Sequence, residues 1–391
     1  MKVLMVLYTT GIEYDSRLRK ECASIKYLGN IPKIAALSEY ENKKSKGVTD
    51  EGVSYNTISL ITRKFLPQKR FLIIKAFEMY VKFLIIILVS RPNIIWLHNI
   101  EMAGLIPFCW IMKKIGFIDK LIWDQHELLA NKFFANKFIK KIIIFLINAC
   151  EIIIVANKER CNFLFKKLGK KNLNSQFHVI ENFIDQRFAS LPKGILPEEV
   201  KEWLNGKPYL LAQGGADPGR YINEVVEAII NLEAIKLIIV GPYSEEIIYK
   251  LQNKWGDIIK EKIYFAGLVP QNKLVDFSDY ALASIILYTK DIENFWFCAP
   301  NRLYQALIRG IPVIVGINPP MANLVNKYNC GVVLVGDGSN VKDIEKGIRK
   351  LIENKTEFDE KTKHCVEAIS WESQMPIFKK IVETKIVGGV E

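Results

Sequence analysis

The sequence lacks a Cys-x-x-Cys pair: its seven cysteines, Cys22, Cys109, Cys150, Cys161, Cys298, Cys330 and Cys365, are scattered singly and odd in number. That pattern argues against structural zinc and a disulfide framework, and for a reducing compartment. Histidine is scarce too, with four residues in 391, and neither His-x-x-x-His nor Glu-x-x-His spacing occurs to support a metal site. The absence of Gly-x-Gly-x-x-Gly weakens a dinucleotide-dependent enzyme. No long apolar run is free of charge. Phe71 to Val89 contains Lys75, Glu78 and Lys82, and Phe133 to Ile147 contains Lys137, Lys140 and Lys141, so neither reads as transmembrane. Each is read instead as a core-facing helix of an α/β domain or as a helix lying on a membrane surface. Met1 to Tyr8 lacks the length and cleavage site of a signal peptide and reads as a first buried strand.

What the chain does have is an uneven charge. Of a net +12, residues 1–190 hold 30 Lys+Arg against 16 Asp+Glu, whereas residues 191–391 hold 24 against 26. The basic half is suited to anionic lipid, an acidic acceptor or nucleic acid. Nucleic acid has the least support, because no RNA- or DNA-binding signature accompanies the charge. Half the residues are apolar, enough for two cores in a chain of this length. Short apolar runs alternate with helical patterns through the first half, at Val3–Tyr8, Ile31–Leu37, Val53–Leu60, Asn93–Leu97, Lys120–Trp123, Ile152–Val155 and Phe177–Ile180. The alternation restarts at Tyr209–Ala212 and continues at Ile235–Val240, Lys262–Ala266, Leu282–Leu287, Ile311–Val315 and Val332–Val335. This predicts two parallel sheets covered on both faces, with ligands beyond the carboxyl ends of the strands. The proline- and glycine-bearing Leu191–Pro197 reads as the linker between them.

One stretch organises the second half: Ala299-Pro300-Asn301-Arg302-Leu303-Tyr304-Gln305-Ala306-Leu307-Ile308-Arg309-Gly310, then Ile311-Pro312-Val313-Ile314-Val315-Gly316. Pro300 fits a first turn, Leu303, Ala306 and Leu307 share a face, and Gly310 suits a left-handed stop. Arg302 in the first turn does nothing for the helix. It is either a solubilising surface arginine or a ligand for an anion at the helix N-terminus. The stretch resembles the nucleotide-sugar motif of retaining GT-B glycosyltransferases of the glycogen-synthase-like group, family four. Other segments resemble the same family. Asp15-Ser16-Arg17-Leu18-Arg19-Lys20-Glu21 follows the first strand, where Asp15 is placed to cap a helix and Arg17, Arg19 and Lys20 read alternatively as a solvated face. Asp124-Gln125-His126-Glu127 follows the fifth run. Glu181-Asn182-Phe183-Ile184-Asp185 stands where the family has Asn-Gly-Val-Asp.

The resemblance implies a GT-B plan, two Rossmann-like doubly wound domains facing across a cleft: residues 1–190 on the acceptor side, 191–370 binding the nucleotide sugar, and a terminal helix, 371–391, crossing back. It implies that Arg220 and Arg302 clamp the donor diphosphate and that His126 approaches the reacting sugar. Gly214, Gly215, Gly267, Asn301, Leu303 and Gln305 are implied at the donor. Gly11, Arg17 and His98 are implied on the acceptor side, where His98 and His126, at one sheet edge, otherwise read as hydrogen-bonded structural imidazoles. Neither a cofactor nor a metal is expected, and no Asp-x-Asp motif is present. The expected activity is retaining, hexosyltransferase-type transfer to a glycan or lipid-linked acceptor in surface polysaccharide synthesis, in the cytoplasm or peripherally on the inner membrane face. The sequence departs from the family where Phe297 and Gln305 replace two glutamates, with Glu293 upstream as a partial substitute. That departure motivates an alternative, a catalytically weak GT-B scaffold or partner of another transferase.

Overall fold

A computed structural model describes residues 1–13, 15–67, 70–169 and 176–383. The chain divides into two compact units, one built of residues 1–181 with residues from 374 on, the other of residues 182–373. In the first, strands β1 (Lys2–Thr9), β2 (Ile31–Ser38), β3 (Lys46–Val48), β4 (Ser54–Ile58), β5 (Ile94–His98), β6 (Lys120–Gln125), β7 (Ile152–Val155) and β8 (Phe177–Val179) form one sheet in the order β3-β4-β2-β1-β5-β6-β7-β8. All pairings are parallel except β3 with β4. That antiparallel edge was not foreseen, because Lys46-Gly47-Val48 carries no apolar alternation.

The first unit's principal helices are α1 (Ser16–Tyr27), α2 (Leu72–Ser90), α3 (Ile106–Lys114) and α4 (Lys137–Ala149). Asp15 caps α1, its carboxylate accepting from the Leu18 amide at 3.1 Å. One core joins the sheet to α2, α3 and α4 through Met79, Phe83, Ile87, Cys109, Ile143 and Leu146. Among the described residues no helix is long and apolar enough to cross a membrane.

The second unit holds β9 (Tyr209–Gln213), β10 (Lys236–Val240), β11 (Ile263–Gly267), β12 (Ala283–Ile286), β13 (Val313–Val315) and β14 (Gly331–Val333), all parallel in the order β11-β10-β9-β12-β13-β14. Its helices include α5 (Ile222–Asn231) and α6 (Asn301–Ile308). The stretch 191–197 is part of this unit and is not a free linker. Arg309 donates to the carbonyls of Ala189 and Leu191 and pairs with Asp279, and the Gly194 amide donates to Asp279 at 2.9 Å. The first crossing between units falls at 181/182, nine residues before the expected boundary.

The return crossing leads into α7 (Met375–Glu383), which belongs to the first unit. Phe378 stacks on Trp96 with ring centroids 6.4 Å apart, and the buried Lys120 ammonium donates to the carbonyls of Ile381 and Val382 at the helix end. The expected amphipathic tail to Ile386 extends past Glu383, outside the described residues.

Candidate functional site

In the second unit, the sequence around α6 folds as its pattern dictates. Pro300 is the N-cap, Leu303, Ala306 and Leu307 enter the core, and Gly310 stops the chain at φ 76°. The consequence is that Arg302 is carried inward. It is 8% exposed, its guanidinium lies 4.7 Å from the Tyr288 ring, and it donates to the Gln213 carbonyl. This removes the reading of Arg302 as a solubilising surface residue.

Arg220 approaches the same point from the other side. It ends a short turn, Pro218–Arg220, donates to the Gly214 carbonyl and sits 5.8 Å from the Tyr288 ring. Arg302 Nε, one terminal nitrogen of Arg302 and Arg220 Nε are buried and have no hydrogen-bond partner. Burial lowers the Arg302 pKa from its ordinary value and Arg220 adds to the fall, while Tyr288 opposes it. Two guanidiniums converge here without a carboxylate between them. An arrangement that costs desolvation and like-charge repulsion in the empty protein is suited to an anion with several oxygens.

The loop beneath explains the glycines. Gly214 and Gly215 take φ 95° and 81°, and a Cβ on Gly214 would stand 2.4 Å from Arg220 and 2.7 Å from Arg302. Both glycine amides donate to the Val240 carbonyl, at 2.7 and 2.9 Å. They are committed within the fold, so the donors left over this loop are those of the guanidiniums. Gly267 ends β11 at φ 71° and accepts from the Gly241 amide, Asn301 accepts from Asn182 at 2.5 Å, and Gln305 is buried one turn beyond Arg302. The Leu303 side chain is fully buried in the core. Tyr288, the ring under both arginines, escaped sequence reasoning, although its place just past β12 was the available signal.

In the first unit, β5 and β6 run in register with His98 opposite Asp124, and His126 follows β6. The two imidazoles meet, His98 Nδ1 to His126 Nε2, at 3.0 Å. Asn99, held at φ 61° and ψ −179°, locks the turn: its amide donates to the Asp124 carbonyl at 2.7 Å and its side chain accepts from the His126 amide at 3.1 Å. Arg17 is a correction. It is 4% exposed and not on a solvated face, because it pairs with Glu21 at 2.8 Å and Asp124 at 3.2 Å and donates to the Ile180 carbonyl at 2.8 Å. Lys20 is likewise buried. His98 lies fully buried, in contact with the half-buried His126.

Burial pushes the Glu21 carboxyl well up, reinforced by Asp124. For Asp124, burial also works upward, but Arg17 and His126 overcome it and hold the value well below the usual range. His98 is pressed down to about 3, by burial first and then by His126. These directions favour an ionised Asp124 beside Arg17 and the neutral forms of Glu21 and His98. Ligand atoms of Glu21, His98, Asp124 and His126 lie within 4.8 Å of one another, a donor set a cation could use. Two of the four, Glu21 and Asp124, are paired with Arg17.

A pocket of about 570 Å³ opens beyond the carboxyl ends of β1 and β2, where ligands of such sheets bind. Gly11 lies in its wall among hydroxyls from Thr9, Thr10, Ser38, Thr49 and Thr57, with Glu13, Glu41, Arg19 and Lys43. Hydroxyls and mixed charges of this density suit a polyol.

Two parallel-sheet units built in these orders define the GT-B fold. Residues 198–369, nearly all of the second unit, match the family described as "Glycosyl transferases group 1". Over 100% of both chains the structure is similar to sucrose-phosphate synthase from Thermosynechococcus elongatus, with a TM-score of 0.75 at 12% identity. It is similar over 100% of both chains to an Escherichia coli structure described as trehalose-6-phosphate bound with UDP-2-fluoro glucose, with a TM-score of 0.72 at 10% identity. It is also similar to Anabaena HepE in complex with UDP-glucose, with a TM-score of 0.67 at 11% identity, over 98% of this chain and 100% of that one. No curated protein sequence matches the chain.

Proposed function

We propose that the protein is a retaining, hexosyltransferase-type glycosyltransferase. It moves a sugar from a nucleotide-sugar donor, held by the second unit, to a glycan or lipid-linked acceptor, held at the hydroxyl-lined pocket of the first. The observation that carries this reading is the meeting of the buried Arg302 with the partly exposed Arg220, whose side chains together hold three buried nitrogens without a hydrogen-bond partner. As the glycosidic bond breaks, negative charge grows on the bridging diphosphate oxygen and the sugar becomes oxocarbenium-like. Fixed guanidiniums in a dry site stabilise that charge more than they stabilise the resting donor. The two cations supply the neutralisation that a divalent metal provides elsewhere, which supports a metal-independent scheme. His126 is assigned to the reacting sugar, its imidazole held by His98 and its backbone by Asn99. Retention, and a place in surface polysaccharide synthesis on the inner membrane face, rest on the resemblance of the Asn301–Gly310 and Asp124–Glu127 segments to family four.

The test is a thermal-shift panel of UDP, GDP, ADP, TDP and CDP on the native protein, followed by nucleotide release from the matching nucleotide sugars. A rise in melting temperature with one nucleotide, and turnover of its sugars, is the expected outcome. A folded protein that answers to none of the five overturns the reading. One observation favours a second one: the neutral Gln305 beside the arginines, where a carboxylate would hold ribose hydroxyls more strongly. If a nucleotide binds but no sugar is transferred or hydrolysed, the chain is a scaffold or partner for another transferase.

A further inference from the structure

The most unusual surface of the first unit is the outer side of its α2–α3–α4 layer. A helix that is apolar all round is ordinarily buried. In α2, Met79, Phe83 and Ile87 face the core, yet Ile74, Phe77, Val81 and Ile85 repeat at helical spacing on the opposite side and are exposed, as is Ile73 at 86%. The same doubling recurs beside it. Phe108, Ile111 and Ile115 stand outward along and just past α3, and Phe138, Ile142 and Phe145 along α4. Helices α3 and α4 are in contact, with the Trp110 and Phe145 rings 6.0 Å apart, and all three helices cover one sheet face through a shared core. Soluble surfaces rarely carry contiguous apolar areas of this kind unless something covers them.

Charge decides what covers it. The three helices contain seven lysines and a single carboxylate, Glu78; Lys75 is buried and Lys82 and Lys113 are paired with Glu78 and Glu151, which leaves Lys114, Lys137, Lys140 and Lys141 to set the charge of the face. That carboxylate is turned away, accepting from the Ile61 and Thr62 amides at 2.6 and 2.8 Å and pairing with Lys82. A second copy of the chain would set two such cationic faces against each other, in a region where residues 1–190 already carry a large basic excess. An anionic lipid surface accepts both parts at once, taking the apolar stripes into the acyl boundary while lysine stems reach outward to phosphate.

We propose that the outer face of α2, α3 and α4 docks on an anionic phospholipid bilayer, with the helices lying in the interface. This deepens the proposed function by naming the surface that brings the protein to a lipid-linked acceptor. It rests on that reading only for its purpose, because docking is measured without donor or acceptor and so can fail or succeed independently of transfer.

The experiment is flotation of the full chain with phosphatidylcholine vesicles, with and without about one third phosphatidylglycerol, alongside light scattering in solution. Native protein is expected to float with the anionic vesicles, at least tenfold more strongly than with neutral ones, and to lose binding as salt rises. The double variants Ile73→Ser with Phe77→Ser, and Lys137→Glu with Lys141→Glu, are each expected to lose tenfold or more with unchanged circular dichroism. Tyr249→Ser with Leu268→Ser, exposed on the second unit, is expected to bind as native. No flotation, or flotation indifferent to both first-unit variants, overturns the proposal. So does a solution dimer that Ile73→Ser with Phe77→Ser converts to monomer, which would assign the face to a second copy.

Discussion

Replacing Arg302 by Met separates a ligand clamp from a structural arginine, because the two roles predict opposite results. Methionine keeps the volume of the stem over the Tyr288 ring but removes the charge. In the empty protein the variant loses one hydrogen bond from a charged donor, to the Gln213 carbonyl, worth about 1.5–3 kcal/mol. It also removes a desolvated guanidinium whose neighbour is another guanidinium, which favours the variant. The two terms offset, so the melting temperature is expected to move by less than about 4 °C, given roughly 2–4 °C per kcal/mol for a domain of this size. With a nucleoside diphosphate present the balance differs. The two partnerless nitrogens of Arg302 would each make a charge-assisted bond worth about 1.5–3 kcal/mol. Because Arg220 stays and water refills part of the site, the lower end applies: about 3 kcal/mol, or a hundredfold or more in Kd. Titration calorimetry with the nucleotide identified by the panel, and differential scanning of the empty variant, read both quantities. Native affinity in the variant, or a melting point lowered by more than about 8 °C, would refute the reasoning.

Gly214→Ala is expected to abolish nucleotide binding while circular dichroism is unchanged, since its Cβ would displace both guanidiniums and its φ of 95° disfavours any side chain; native affinity by calorimetry contradicts this. Asp124→Asn leaves Arg17 buried without its ionised partner and is expected to cost about 3–5 kcal/mol in urea unfolding. A loss below about 1 kcal/mol would mean that Glu21 alone holds Arg17. His98 titrates near 3 in the folded protein and near 6.5 when unfolded, so only the unfolded chain takes up its proton between those values. Its contribution is therefore complete above about pH 6.5 and is lost as the pH falls toward 3. His98→Asn is expected to flatten the fall in urea stability between about pH 6.5 and 4.5, and parallel native and variant curves would refute this.

The sheets were legible because parallel strands buried on both faces leave continuous apolar runs in the sequence. Thirteen of the fourteen strands fall on those runs, with ends differing by one or two residues. The polar edge strand β3 left no such trace. The two arginines were legible as residues but not as an arrangement: nothing in the spacing of Arg220 and Arg302 reveals that both rest on Tyr288. Glu21 could have been found from its i, i+4 spacing to Arg17, a pair that spacing favours. Asn99 could not, since a left-handed non-glycine residue has no periodic signature. The outward stripes of α2 and α4 were visible only as excess hydrophobicity, and which side each helix turned to the sheet needed tertiary structure.

The return of the chain at residue 374 has a consequence for biosynthesis. Residues 375–383 supply Phe378 to the ring stack of β5 and the carbonyls that receive the Lys120 ammonium. The first unit to leave the ribosome is thus the last to be completed, whereas residues 182–373 are contiguous and can close as they emerge. Until residues 375–383 emerge, the nascent first unit lacks the ring that covers Trp96 while its three apolar helices are already out. This is a window in which a holdase, or the very bilayer proposed for that face, would protect it from self-association.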